Sequence, residues 1–157
     1  MKFVSPSSGP MDLKKVFNAI AQYIKENPED EYRLMIGTDS RVRQHTVFVT
    51  AIIIHRVGKG GKYFYCKQRH RPMDSLRQRM YFETSLSLEV AARLTAMLAE
   101  AELDDLRLEI HLDIGPCGET KSLIRELVGM VMGSGFAARI KPHSIGASKV
   151  ADKHTRG

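Results

Sequence analysis

Between Arg33 and Gln68 lie three runs rich in β-branched and aromatic residues, RLMIGTDS (33–40), VFVTAIIIH (47–55) and KYFYCKQ (62–68). The breaks between them are too short for a crossover helix: a basic connection from Arg41 to His45, and a turn containing Gly58, Gly60 and Gly61. Strands joined by so little chain pair with their neighbours, so the stretch predicts an antiparallel three-stranded meander. Everything else in the chain must then pack on the faces or edges of that sheet.

On either side the periodicity becomes helical. From Pro10 to Asn27, Leu13, Val16, Phe17, Ile20 and Ile24 recur at the spacing of an amphipathic helix that lies on the domain. A second helical pattern runs from Ser75 to Ala101. After it come a strand over Leu106–Ile114 (LRLEIHLDI), a helix over Glu119–Met132 and a short strand over Phe136–Lys141. Residues 1–9 read as a loose Ser/Pro leader and residues 147–157 as a basic tail. A meander followed by alternating helices and strands predicts an α/β fold with a mixed five-stranded sheet. In it strands 1–3 are antiparallel, strands 4 and 5 run parallel to strand 1, and helices flank the sheet. The chain has 157 residues, the size of one domain with its own core.

No run approaches the roughly 18 apolar residues of a membrane span. The first residues, MKFVSPSSGP, are too short and polar for a signal peptide, which makes the cytoplasm the expected compartment. Cys66 and Cys117 have no metal-ligand spacing, so neither a zinc site nor a disulfide framework is indicated. The net charge of +6 suits an anionic partner.

Alternation in the first strand places Leu34, Ile36 and Thr38 on one face and Met35, Gly37 and Asp39 on the other. Asp39 thus stands at the carboxyl end, where open α/β sheets carry their chemistry. Asp113 ends the fourth strand in the same way. On the long helix, Glu83 shares its face with Leu86, Val90, Ala91, Leu94 and Met97, an apolar stripe on which an ionised group needs a partner or a metal. Glu89 lies with Ala92, Arg93, Ala96 and Glu100 and is the reserve choice. Two carboxylates about 4 Å apart repel by roughly 4 kcal/mol at an effective dielectric near 20, so a cluster of them implies a cation. Oxygen ligands without cysteine favour Mg²⁺ or Mn²⁺, and paired cations can activate water and stabilise the leaving oxygen of a phosphodiester.

This succession of elements and residues resembles the ribonuclease H-like superfamily. It shares a Thr-Asp at the end of the first strand (Thr38-Asp39), a glutamate on the helix after the third strand (Glu83) and an aspartate ending the fourth (Asp113). A Lys-x-His segment (Lys141-Pro142-His143) and an Ala-Asp pair (Ala151-Asp152) complete the order. More narrowly, IGTDS, ETSLSLE, HLDIG and GASKVADKHT are similar to the bacterial YkuK-type family, a branch of that superfamily whose function is uncharacterised; the resemblance runs from Arg33 to Thr155. It implies a metal-dependent nuclease with a two-metal site, acting on RNA, an RNA/DNA hybrid or structured DNA. Asp39, Glu83, Asp113 and Asp152 would ligate Mg²⁺ or Mn²⁺, with His143 near the leaving group. Arg41, Arg43, Arg69, Arg71, Lys141, Lys149 and Lys153 are the candidates for contacting a nucleic-acid backbone. Only one helix fits between the fourth and fifth strands, so the protruding basic helix of many ribonucleases H is missing.

Three other readings compete. The same fold with an incomplete metal site would be a nucleic-acid-binding module without catalysis. The carboxylates could instead only pin the long helix to the sheet. GPCGETKS (115–122) comes near a phosphate-binding loop, but Thr120 stands where that loop needs glycine before its lysine.

Overall fold

The structure is a computed structural model that describes residues 1–144 and 146–155. The meander forms as expected, over longer strands: β3 (Tyr32–Val42), β4 (Thr46–Arg56) and β5 (Gly60–His70), numbered after two earlier strands. The β3–β4 ladder is unbroken from Tyr32 opposite Arg56 to Val42 opposite Thr46, and β4–β5 from Thr46 opposite His70 to Arg56 opposite Gly60. The second hairpin depends on glycine. Gly60 has φ of +99°, and a Cβ on Gly61 would stand 2.4 Å from the Ile54 carbonyl oxygen.

The sheet has seven strands, not five, in the order β2-β1-β5-β4-β3-β6-β7. The expected loose leader is instead the hairpin β1 (Phe3–Ser5) and β2 (Ser8–Met11). Val4 pairs with Tyr65, so the hairpin covers the edge that β5 would otherwise expose, and Phe3 is fully buried. On the other side β6 (Arg107–His111) runs parallel to β3, and β7 (Ala137–Arg139) runs parallel to β6. Both are shorter than the sequence suggests.

Helices cover both faces. α1 (Leu13–Glu26) starts three residues later than Pro10 because the Asp12 side chain caps it, accepting from the Lys15 N–H at 2.9 Å. α2 (Leu76–Glu100) is capped by Ser75, which accepts from the Gln78 N–H at 3.2 Å. Val16, Phe17 and Ile20 of α1 and Val90, Ala91 and Leu94 of α2 join Leu34, Ile36, Ile52 and Ile54 in the main apolar core. The helix predicted over 119–132 is a 3-10 turn over Glu119–Leu123 followed by α3 (Ile124–Gly133).

The expected basic tail is largely a helix, α4 (Gly146–Thr155); its last two residues lie outside the described residues. It packs on the opposite face of the sheet from α2, with Ala151 against Val49 and Ala51. Its buried positions Ala147, Ala151 and Thr155 are small, so the large-residue periodicity that betrays α1 is absent. Close approach makes this stripe sufficient: a Cβ on Gly37 would lie 3.0 Å from the Ala147 Cβ.

Candidate metal centre

The strand register brings the two aspartates together. β3 and β6 are parallel with Gly37 opposite His111, and Asp39 and Asp113 each lie two residues further on. Two residues is one period of a strand, so both carboxyls sit on the same side of the sheet at the same level, toward the carboxyl ends of β3 and β6. Glu83 reaches this point from α2. Thr38 and Ser40, on the strand face that α2 covers, meet the helix one turn apart: Thr38 Oγ1 lies 2.8 Å from Ser87 Oγ, and Ser40 Oγ donates to Glu83 Oε2 at 2.5 Å. One carboxylate oxygen from each of Asp39, Glu83 and Asp113 then falls within 4.8 Å of the other two. Asp152 arrives on α4 from the other face, near enough to Asp39 to raise its pKa. The site is thus clasped by a helix on each side of the sheet.

Burial makes this grouping costly for ionised carboxyls. Asp39 is 7% exposed, and its pKa is pushed up to about 8, chiefly by burial and further by the Asp113 and Asp152 carboxyls. Glu83, 4% exposed, is held well above the ordinary range by burial, which outweighs the Ser40 hydrogen bond. Two cations partly offset the negative charge. Lys141 Nζ lies 2.9 Å from Asp113 Oδ1, and that bond raises the lysine pKa. Arg79 stands one turn before Glu83, its Nη1 donating to Ser40 Oγ at 3.4 Å. Its charge favours the ionised form of Glu83.

Comparison with known proteins assigns this α/β chain to a family. The ribonuclease H-like family aligns with residues 15–156. The chain belongs to that family. An uncharacterised protein of Bacillus subtilis (strain 168), YkuK, is 38% identical over 168 aligned positions, covering 98% of this chain and 96% of the relative. No solved structure gives a significant match.

Within this ribonuclease H-like frame the other candidates fall into separate places. Glu89 is exposed, whereas Glu83 is buried and joins Asp39 and Asp113. His143 sits in the exposed turn after β7 and, with Lys149, lines a groove floored by Met35, Ile53 and Tyr63 rather than joining the carboxylates. Arg41, Arg43 and Arg69 line one cleft with His45 and Thr155, the last residue of α4. Arg71 and Lys153 are exposed outside that lining, and Lys141 is committed to Asp113. The phosphate-loop look-alike closes on itself, since the Gly115 N–H donates to Thr120 Oγ1 at 3.1 Å.

Sequence reasoning missed Ser40 and Arg79 as the partners of Glu83. The signal was present in the spacing: Thr38 and Ser40 alternate onto one strand face, and Glu83 and Ser87 lie one helical turn apart. It also missed a buried group beside the site. Glu109 pairs with Arg33, with Arg139 at 3.4 Å and with His111 at 3.0 Å, and His111 Nδ1 accepts from the Ala147 N–H at 3.4 Å. The contact ties the first turn of α4, and through it Asp152, to the strand that leads to Asp113.

Proposed function

We propose that the protein is a metal-dependent nuclease that hydrolyses phosphodiester bonds in nucleic acid, using Mg²⁺ or Mn²⁺ held by Asp39, Glu83, Asp113 and Asp152. The observation that carries this is the approach of three carboxylate oxygens from distant parts of the chain to within 4.8 Å, two of them on buried residues. The donor set fits the cation. The donors in this cluster are hard carboxylate oxygens with no thiol or imidazole among them. A bound divalent cation would supply positive charge to polarise the phosphodiester and lower the pKa of a water.

The chain's own residues do the rest. Ser40 fixes the orientation of Glu83, Asp113 and Asp39 share the strand-end level, and α4 sets the reach of Asp152. Arg41, Arg43 and Arg69 line a cleft that begins two residues beyond Asp39 on the same strand face, so a backbone lying there would present a phosphate to the carboxylates.

The test is cleavage of labelled RNA, RNA/DNA hybrid and branched DNA with and without Mn²⁺ or Mg²⁺. Metal-dependent cleavage is expected, with Asp39→Asn and Asp113→Asn abolishing it while nucleic-acid binding persists. Binding without cleavage in any metal would instead identify a non-catalytic nucleic-acid-binding module. That second reading draws on the Lys141–Asp113 ion pair, which leaves part of the cluster satisfied by protein alone.

A further inference from the structure

We infer that the Lys141 ammonium is a resident cation of this centre and takes the place of one divalent ion, so that the carboxylates hold a single Mg²⁺ or Mn²⁺ rather than a pair. The inference rests on the metal reading of the site and refines it. Three observations support it. Lys141 Nζ is 2.9 Å from Asp113 Oδ1, the distance of a direct charge-assisted bond. The charges of Asp39 and Glu83, as well as that of Asp113, favour the charged form of the lysine. Its placement is built in by the backbone: the Lys141 N–H donates to the Ile114 carbonyl at 2.8 Å, immediately after Asp113. The side chain also passes over Gly115, where a Cβ would stand 3.0 Å from the Lys141 Cβ.

Charge balance leads to the same count. With all four carboxyls ionised, Lys141 and Arg79 leave two negative charges, which one divalent cation neutralises. A pair of ions sits about 3.5–4 Å apart on shared carboxylates. A second divalent ion on Asp113 would meet the Lys141 ammonium, whose Nζ lies 2.9 Å from Asp113 Oδ1.

The experiment is calorimetric titration of the full chain with MnCl₂, without nucleic acid, for the wild type, Lys141→Arg, Lys141→Met and Lys141→Gln. The lysine side chain is 57% exposed, and circular dichroism of each variant confirms its fold. One Mn²⁺ per chain is expected for the wild type and for Lys141→Arg, which keeps the charge. Two are expected for Lys141→Met and Lys141→Gln, with the first bound about tenfold or more tightly than in the wild type, because a like charge has been removed from its neighbourhood. Two Mn²⁺ in the wild type, or one in both neutral variants, overturns the inference. Asp39→Asn separates this from failure of the metal reading. If the wild type binds two ions and Asp39→Asn loses them, the metal centre stands and only the role of Lys141 falls. If neither protein binds Mn²⁺, both fall.

Discussion

Glu83 shows how a single residue type acquires meaning from its neighbours. An acid on the apolar stripe of α2 is costly unless something awaits it, and Ser40, Arg79 and the two strand-end aspartates are what the structure places there. The stripe favours Glu83 over the exposed Glu89, whereas Ser40 carries no such signal because a serine near a strand end is also an ordinary turn residue. The electrostatic cost should be measurable in metal-free protein. Asp39 has its pKa raised from 3.8 to about 8, so the folded state binds a proton that the unfolded state has released. Stability is therefore full below about pH 4 and is lost as the pH rises through about 8, each unit of the shift being worth about 1.4 kcal/mol. Glu83, raised in the same direction, adds to the loss. Urea denaturation in chelator from about pH 4 to pH 9 should show this decline. It should be smaller in Asp39→Asn, which is expected to be more stable than the wild type at pH 8 while failing to bind Mn²⁺. A stability that climbs over the same window would contradict the assignment of these groups.

At the scale of elements, the meander was legible because β-branched runs and a glycine turn leave few alternatives, and the parallel placement of β6 followed from the helix before it. The elements that were misjudged share a cause: they are held by proximity to the sheet rather than by their own pattern. Phe3–Ser5 is too short to show alternation, yet it caps an open edge. α4 buries alanines and a threonine, which carry little apolar signal, and depends on Gly37 to let it close on β3. Gly37→Ala would set its Cβ 3.0 Å from the Ala147 Cβ and 3.1 Å from the His111 carbonyl oxygen. Overpacking of this kind costs about 1–3 kcal/mol. Since α4 carries Asp152, the variant should also bind Mn²⁺ more weakly. Ala147→Gly removes the facing methyl, and the pair should be less destabilised than the two single changes predict, as a denaturation double-mutant cycle would reveal. Strict additivity would mean that α4 does not seat against Gly37.

Taken as a whole, the molecule divides its charge. The net charge is +6, yet Asp39, Glu83 and Asp113 gather toward the carboxyl ends of β3 and β6, and Arg41, Arg43 and Arg69 line the cleft beside them. The register makes the adjacency explicit: Arg41 is opposite Val47, and Val47 is opposite Arg69. A row with an arginine at each end therefore crosses three strands two residues beyond Asp39. Among the described residues no helix is long and apolar enough to cross a membrane. A nucleic-acid backbone held by such a row should show it in salt dependence, since each neutralised phosphate contributes a slope of about 0.9 for duplex DNA and about 0.7 for single strands. In the Asp39→Asn background, which is expected to leave the substrate uncut, Arg41→Ala with Arg69→Ala should weaken binding to all sequences alike and lower the slope of log K against log salt by about 1.4–1.8. Fluorescence anisotropy of a labelled oligonucleotide between about 50 and 200 mM salt measures both effects. If affinity falls with the slope unchanged, the arginines act through the fold and the phosphates lie elsewhere. If Lys149→Ala gives the larger change in slope, the strand runs instead along the groove of His143 and Tyr63, over the face of the sheet that α4 leaves open.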